Sequence, residues 1–155
     1  MNHSKGYAEM FSIDEDAPVV VRLSTVIDAP MERVWALHAD VDSWAEWNAD
    51  VDEAKLDGPL LPGNSFRWKT HGLDITSTVQ EVVPGERIVW GGPANGIDGV
   101  HVWTFERTGS QVTVRTEESW SGAVVDAAAD ELGRALHESL TAWLAALKAR
   151  AERTG

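Results

Sequence analysis

The alternation of apolar and polar residues divides the chain into three regions, of which the first is mixed. Residues 19–27 form a β-branched run that is typical of a strand, and Pro30 then opens a short helix. A second short helix follows, for which we expect Asp42 as the N-cap and Trp44 and Trp47 three positions apart on one face. This region therefore predicts one strand followed by two short helices.

The middle region changes to a period of two, and the last region changes back to a helical period. Six strands are predicted at about 51–57, 64–71, 73–83, 87–92, 98–107 and 111–120. Gly- and Pro-rich turns separate them, which favours an antiparallel meander. From about 124 to 153, apolar residues recur at steps of three and four, and this stripe predicts one long helix.

These elements predict an α+β fold made of one layer of sheet and one long helix. A seven-stranded antiparallel sheet must cover its apolar face, and the C-terminal helix is the only predicted element large enough to do so. A sheet curved around that helix leaves space for a ligand between them. We assign residues 18–153 to this domain and interpret residues 1–17 as an N-terminal tail, since an acidic run precedes Ala17 and Pro18.

Composition excludes several classes of function. The formal net charge of −12 disfavours nucleic acid and anionic membrane surfaces as partners. The chain has no cysteine, and no residue pattern predicts a metal site or a cofactor. No stretch approaches the roughly 20 apolar residues of a membrane span, and no export signal is recognisable, so we expect a cytoplasmic protein.

Tryptophan is the unusual component, with eight residues against one tyrosine and three phenylalanines. Indole offers a large apolar face and a single N–H donor, which suits a wall against a hydrophobic small molecule. The four tryptophans in predicted helices, Trp35, Trp44, Trp47 and Trp143, are interpreted as packing residues. The expected partner is therefore a hydrophobic small molecule.

Strand alternation indicates which side chains face that molecule. His101, Trp103 and Phe105 fall on one face of their strand, which we expect to point inward, and Val102 falls on the other. The same reasoning gives the candidate ligand-binding residues, which are Phe66, Trp68, Trp90, Trp103, Phe105, Thr116 and Trp120 on the strands and Leu136 and Leu140 on the helix.

Two ionisable residues, His101 and Glu118, fall on faces that are otherwise apolar. One interpretation is structural: His101 is a neutral core histidine, and Glu118 lies at the cavity mouth, wetted or paired with Arg67. The other is a catalytic general acid–base pair in which His101 titrates near neutrality. Desolvation would raise the pKa of Glu118 and lower that of His101, whereas a mutual ion pair would do the reverse.

The glycine-rich stretch 91–99 has neither the lysine of a P-loop nor the helix of a dinucleotide-binding turn. We interpret it as a flexible loop at the cavity entrance, a candidate lid. His71 and Asp74 flank a tight turn at Gly72, which we interpret as solvated, with a ligand contact at the cavity rim as the alternative. His38 is assigned to packing, and His137 is expected to face solvent.

Several segments together resemble a known superfamily. They are residues 26–30 (VIDAP), 33–37 (RVWAL), 44–48 (WAEWN), 81–90 (EVVPGERIVW) and 102–106 (VWTFE). Over roughly residues 19 to 153 the chain resembles the START-like, or helix-grip, superfamily, and within it the polyketide cyclase/dehydrase branch. The resemblance implies a helix-grip fold with an internal cavity. It carries over no catalytic set, because cavity residues differ between its subfamilies.

Three functions are compatible with these observations. The first is a cofactor-independent cyclase, aromatase or dehydrase acting on a polyketide-like or polycyclic natural product, with His101 or Glu118 moving protons. The second is a non-catalytic carrier or self-resistance protein for a hydrophobic natural product. The third is an interaction module such as a chaperone co-regulator. An enzyme needs an acid or base within reach of the ligand, and a carrier does not.

Overall fold

The computed structural model describes residues 11–153. The strands are β1 (Val19–Ile27), β2 (Val51–Leu56), β3 (Ser65–Thr70), β4 (Leu73–Val83), β5 (Arg87–Ala94), β6 (Ile97–Thr108) and β7 (Gln111–Ser121). The α-helices are α1 (Met31–Ala39), α2 (Trp44–Trp47), α3 (Ala123–Ala127) and α4 (Ala129–Glu152), and a 3-10 turn spans Val41–Ser43.

The seven strands form one antiparallel sheet in the order β1-β7-β6-β5-β4-β3-β2. The sheet curves around α4, whose buried stripe is made of Leu136, Leu140, Trp143, Leu144, Leu147 and Ala151. Both the predicted fold class and the two short helices after the first strand are confirmed. Burial of this apolar stripe against the sheet is the main stabilising contact between the two layers.

The C-terminal helix is broken once, which the periodicity did not predict. Ala128 has φ −147° and ψ 38°, so the expected single helix is divided into α3 and α4. Asp130 and Glu131 lie in the first turn of α4, where carboxylates are favoured by the helix dipole. This acidic pair was the sequence signal for a new helix start, and the apolar stripe concealed it.

The start of α2 also differs from the prediction. Asp42 lies inside the 3-10 turn, and Ser43 is the residue before α2, with no side-chain capping bond. The Asp42 carboxylate instead accepts a hydrogen bond from the backbone N–H of Leu56, at 2.7 Å. Asp42 thus ties the short helices to β2 rather than capping a helix.

The glycine-rich stretch is a hairpin and not a flexible loop. β5 extends to Ala94, β6 begins at Ile97, and the two-residue turn Asn95–Gly96 has positive φ at both positions (53° and 81°). This is the type I′ geometry that Asn-Gly prefers, because its twist matches that of the flanking strands. The expectation of a loop was wrong because the Asn95–Gly96 turn closes a hairpin in which the other glycines belong to paired strands.

Part of the outer face of the sheet is covered by residues of the N-terminal segment. Ile13 packs against Val89 and Val102, all three of them buried. The backbone N–H of Asp14 donates to Ser119 Oγ at 3.0 Å, and Ser119 is buried as well. Val102 and Ser119, which lie on the face opposite the cavity, are therefore buried. Residues 1–10 of the predicted tail lie outside the described residues.

No helix within residues 11–153 is both long enough and apolar enough to cross a membrane.

Candidate functional site

A cavity of about 260 Å³ lies between the concave face of the sheet and α4. Its wall comes from β3 to β7 and from the helix, and it is predominantly apolar. The exposed lining residues His71, Leu73, Asn95 and Ala135 mark its mouth. The mouth thus lies between the β3–β4 turn, the β5–β6 hairpin and the first half of α4.

Gly91 on β5 pairs with Val100 on β6 and lies against the backbone of the neighbouring Gly99. A Cβ atom at Gly91 would lie 2.3 Å from the carbonyl oxygen of Gly99, which no real side chain tolerates. Both glycines line the cavity. Their lack of side chains sets the width of this wall.

Of the nine candidate ligand-binding residues, five line the cavity: Trp68, Trp90, Trp120, Leu136 and Leu140. The other four, Phe66, Trp103, Phe105 and Thr116, are buried in the core and are not part of its lining. Strand alternation assigned them to the inward face correctly. The cavity covers only part of the inward face, however. Aromatic rings of α1 and α2 fill the space over the strand segments farthest from the mouth.

One lining residue was assigned to packing alone. Trp143 lies one turn after Leu140 on the buried stripe of α4, and its ring packs 5.7 Å from Trp68 and 6.3 Å from Trp90. Its spacing from Leu136 and Leu140, both predicted wall residues, was the available signal. Together with the strand tryptophans it encloses the inner part of the cavity.

His101 and Glu118, the predicted pair, both line the cavity and meet across β6 and β7. They are directly opposite in the strand register, and His101 Nδ1 lies 3.2 Å from Glu118 Oε1. The other ring nitrogen, Nε2, is 2.7 Å from Thr116 Oγ1. The indole N–H of Trp120 donates to Glu118 Oε2 at 2.8 Å. Glu118 is therefore paired with His101 and Trp120, and not with Arg67.

Burial sets the charge of this pair. It raises the pKa of Glu118 to about 7, and the hydrogen bond from Trp120 opposes that rise. Burial also lowers the pKa of His101 well below its ordinary value, and the nearby His38 lowers it further. The expectation that His101 titrates near neutrality is thus corrected. Glu118 is the group that changes its protonation around pH 7, while the imidazole stays neutral.

The hydrogen bonds couple the imidazole tautomer to the protonation of Glu118. When Glu118 is ionised, Nδ1–H of His101 donates to it and Nε2 accepts from the Thr116 hydroxyl. When Glu118 is protonated, its O–H can donate to Nδ1, and Nε2–H then donates to Thr116 Oγ1. A proton taken up by Glu118 therefore reverses the direction of this hydrogen-bond chain.

His38, predicted to be a packing residue, is fully buried among aromatic rings. Its ring centroid lies 4.2 Å from that of Trp103 and 5.7 Å from that of Trp44. Neither ring nitrogen has a hydrogen-bond partner among the described residues. Burial lowers the pKa of His38 to about 3, so the ring is neutral at physiological pH. It belongs to the core behind the cavity rather than to its lining.

A second polar group lies at the mouth. His71, which has a positive φ of 50°, places Nε2 3.4 Å from Ser139 Oγ on α4 and 4.0 Å from Asp50 Oδ2. His71 and Ser139 both line the cavity. Asp74, the other candidate rim residue, is exposed on β4 and does not line it.

A surface groove and a metal site are the other kinds of site to consider. A groove of about 610 Å³ follows β1 and the start of α4, but it is a shallow surface feature that Arg22, Asp130 and Arg134 border. His137, expected to face solvent, is exposed beside it. Among residues 11–153, no three His, Asp or Glu side chains converge as metal ligands would.

Comparison with solved structures supports the same architecture. A hypothetical protein from Helicobacter pylori superposes with a TM-score of 0.79 at 20% identity, over 92% of this chain and 98% of that one. A START superfamily protein from Mycobacterium smegmatis gives a TM-score of 0.73 at 13% identity, over 86% and 97%. The aromatase/cyclase Zhui from a Streptomyces species gives 0.74 at 17% identity, over 86% and 93%. At these identities the likeness concerns the fold.

A search of curated protein sequences finds no significant relative. The profile of one family, described as "Polyketide cyclase / dehydrase and lipid transport", matches residues 18–152. That match covers nearly the whole sheet and helix described above, including every residue that lines the cavity. The chain therefore belongs to the polyketide cyclase/dehydrase and lipid transport family.

Proposed function

We propose that this protein is a cofactor-independent acid–base enzyme of the cyclase or dehydrase type, and that Glu118 is its proton-transferring group. The observation that carries the proposal is a carboxyl group with a pKa of about 7 in the wall of an apolar cavity. A general acid or base works best when its pKa lies near the working pH, and burial achieves this here. Family membership and the likeness to an aromatase/cyclase support the reaction class.

His101 acts through Glu118 rather than on the ligand. Both of its ring nitrogens are already within hydrogen-bond distance of Glu118 and Thr116, and its side chain is only 3% exposed. The Glu118 side chain is 15% exposed, and each carboxylate oxygen keeps a free lone pair. We therefore assign His101 as a positioning residue. It holds the carboxyl group of Glu118, and its imidazole changes tautomer when Glu118 takes up or releases a proton.

The chemistry follows from one mobile proton. The ionised carboxylate takes a proton from the carbon next to a ligand carbonyl, and the resulting enolate attacks a second carbonyl carbon to close a ring. The protonated carboxyl group returns this proton to the alkoxide that forms, which gives the aldol hydroxyl group. For dehydration the carboxylate removes the second proton of the same carbon, and the carboxyl group delivers it to the hydroxyl group, which leaves as water while the C=C bond forms. The apolar wall holds the reacting carbons together and excludes bulk water, and both effects lower the barrier.

The cavity volume limits what the ligand can be. At about 260 Å³ it lies just below the range of roughly 300–1,000 Å³ that is usual for drug-sized ligands. One ring or two fused rings fit inside it. A longer polyketide-like chain would extend past His71 and Ser139 at the mouth. We expect a cytoplasmic role in natural-product metabolism.

The proposal can be tested without the natural substrate by using 5-nitrobenzisoxazole, a planar, uncharged two-ring probe. A base removes its one acidic C–H proton, that electron pair forms a nitrile, and the N–O bond breaks to give a coloured phenolate. We expect catalysed release that rises with pH around a midpoint near 7, and a loss of about 10²-fold or more in kcat/KM for Glu118→Gln.

The matched control is Glu117→Gln, which removes the same charge from the same strand. Glu117 lies on the outer face, where it accepts a hydrogen bond from Arg22 at 2.7 Å, so its replacement is expected to leave the rate unchanged. The catalytic assignment would be refuted if the wild type and Glu118→Gln released the phenolate at the same rate, and no faster than a simple carboxylate in solution does.

A carrier function is the second candidate, and one observation favours it. Every polar atom of His101 and Glu118 already has a partner inside the protein. If the protein is a carrier, Glu118→Gln changes the affinity for a cavity ligand and no proton-transfer rate is detectable above that of the buffer.

A further inference from the structure

Within the described part of the chain, the inner cavity holds one carboxyl group and no lysine or arginine. Among the described residues that line it, the ionisable groups are Glu118, His101 and His71, and no lysine or arginine is present. His101 is neutral because burial keeps its pKa well below 6.5. The chain as a whole carries a formal charge of −12. A ligand in the inner cavity therefore experiences a negative field whenever Glu118 is ionised, with no lysine or arginine in the described lining to offset it.

The wall around this carboxylate is built from indole rings. Trp68, Trp90, Trp120 and Trp143 all line the cavity. Trp68 and Trp143 pack edge to face, with ring centroids 5.7 Å apart and planes at 68°. The face of an indole ring attracts cations through its quadrupole, and tryptophan is the strongest such group among the side chains.

The carboxyl group of Glu118 is fixed by two hydrogen-bonding partners. Its two oxygens are fixed by His101 on one side and by the indole N–H of Trp120 on the other. Both of these groups donate to the ionised carboxylate, and each oxygen retains acceptor capacity towards the cavity. The group is preorganised as a counter-ion, since it needs no rearrangement when a cation arrives.

We infer that the cavity binds a compact organic cation, an amine or quaternary ammonium carried on one or two rings, with Glu118 as counter-ion and the tryptophans around its charged head. The inference rests on the proposed function of the cavity and narrows its ligand class. Anionic ligands are disfavoured, because a carboxylate or phosphate here would lie beside Glu118 without a cationic partner. Neutral ligands gain from the apolar wall but not from the charge.

The inference has a pH signature that follows from the groups around Glu118. From β6 it faces His101, the β3–β4 turn contributes His71 at the mouth, and the lining residues of α4 carry no titratable group. The residue opposite it on β1 is Val21. Because the pKa of Glu118 is about 7, the carboxylate fraction rises roughly tenfold between pH 6 and pH 8.

The test compares two probes of the same shape, phenyltrimethylammonium and tert-butylbenzene, by tryptophan fluorescence and calorimetry of the full-length protein. The first probe keeps its charge at every pH, so any pH dependence belongs to the protein. We expect it to bind more tightly than tert-butylbenzene at pH 8 and to lose about tenfold in affinity at pH 6. The affinity for tert-butylbenzene is expected to stay constant.

Two variants locate the effect. Glu118→Gln is expected to remove the pH dependence and to weaken cation binding at pH 8 by at least tenfold, whereas Glu117→Gln on the outer face is expected to retain both. If tert-butylbenzene binds as tightly as the cation at both pH values, the cation inference is overturned and the cavity proposal stands. If neither probe binds, the cation inference and the cavity proposal are both overturned. Cation binding that is unchanged in Glu118→Gln would place it outside this cavity and overturn the inference.

Discussion

Replacing Glu118 by glutamine should stabilise the folded protein at alkaline pH, although it removes a charged hydrogen-bonding group. The folded-state pKa of about 7 lies above the ordinary value of 4.5, so the folded protein holds a proton that the unfolded chain has already released. Stability is therefore lost as pH rises through this interval. Glutamine mimics the protonated carboxyl group in shape and has no charge to desolvate.

The size of the effect follows from the two pKa values. At about 1.4 kcal/mol per pH unit, holding the carboxylate buried at pH 8 costs roughly 3 kcal/mol, and at pH 5 the cost is below about 1 kcal/mol. Little of this is screened by solvent, because the side chain is 15% exposed. We expect the stability gain of Glu118→Gln to be about 2–3 kcal/mol larger at pH 8 than at pH 5.

Urea unfolding at the two pH values, followed by tryptophan fluorescence, measures this difference. Glu117→Gln serves as the control, because it removes an equal charge from the outer face of the same strand. Its effect on stability is not expected to grow with pH in this interval. A gain for Glu118→Gln that is the same at pH 5 and pH 8 would show that the carboxyl group is ionised throughout, and the reasoning from burial would fail.

Three further predictions concern the surroundings of the pair. Thr116→Val leaves Nε2 of His101 without its 2.7 Å partner and is expected to cost about 1–3 kcal/mol in urea unfolding, whereas Thr116→Ser should retain most of the stability. The wild type is expected to lose about 2 kcal/mol of stability between pH 7.5 and pH 5 through His38, because its folded-state pKa of about 3 lets only the unfolded chain take up the proton. His38→Leu should lack this loss; stability profiles of wild type and variant that run parallel with pH would contradict this. Gly91→Ala should lower the melting temperature by several degrees, since its Cβ would meet the carbonyl oxygen of Gly99 at 2.3 Å.

The fold could be predicted from the sequence because its signals are periodic. A strand pattern repeated from residue 51 onward and one apolar helical stripe leave a single sensible arrangement of sheet and helix. The break at Ala128 could not be read in this way, because α3 and α4 both bury apolar side chains and the stripe continues through the junction. Periodicity reports which face is buried, and not whether the backbone is continuous.

The sequence predicted which side chains of the candidate site face inward, but not which of them reach the cavity. Alternation on β6 and β7 placed His101 and Glu118 inward, and the register brings them directly opposite each other. It gave no sign that Trp103 lies behind the cavity, because that depends on how α1 fills the interior with His38. The charge state of the pair was equally hidden, since it is set by the degree of desolvation.

The central claim is that Glu118 is the group that titrates near neutrality in the cavity, and carbon-13 NMR of its side-chain carboxyl tests this most directly. The chemical shift of that carbon, assigned by its absence in Glu118→Gln, is followed in the ligand-free protein from pH 4 to pH 9. The account predicts a single transition with a midpoint near 7. A midpoint close to the ordinary glutamate value of 4.5 would contradict it.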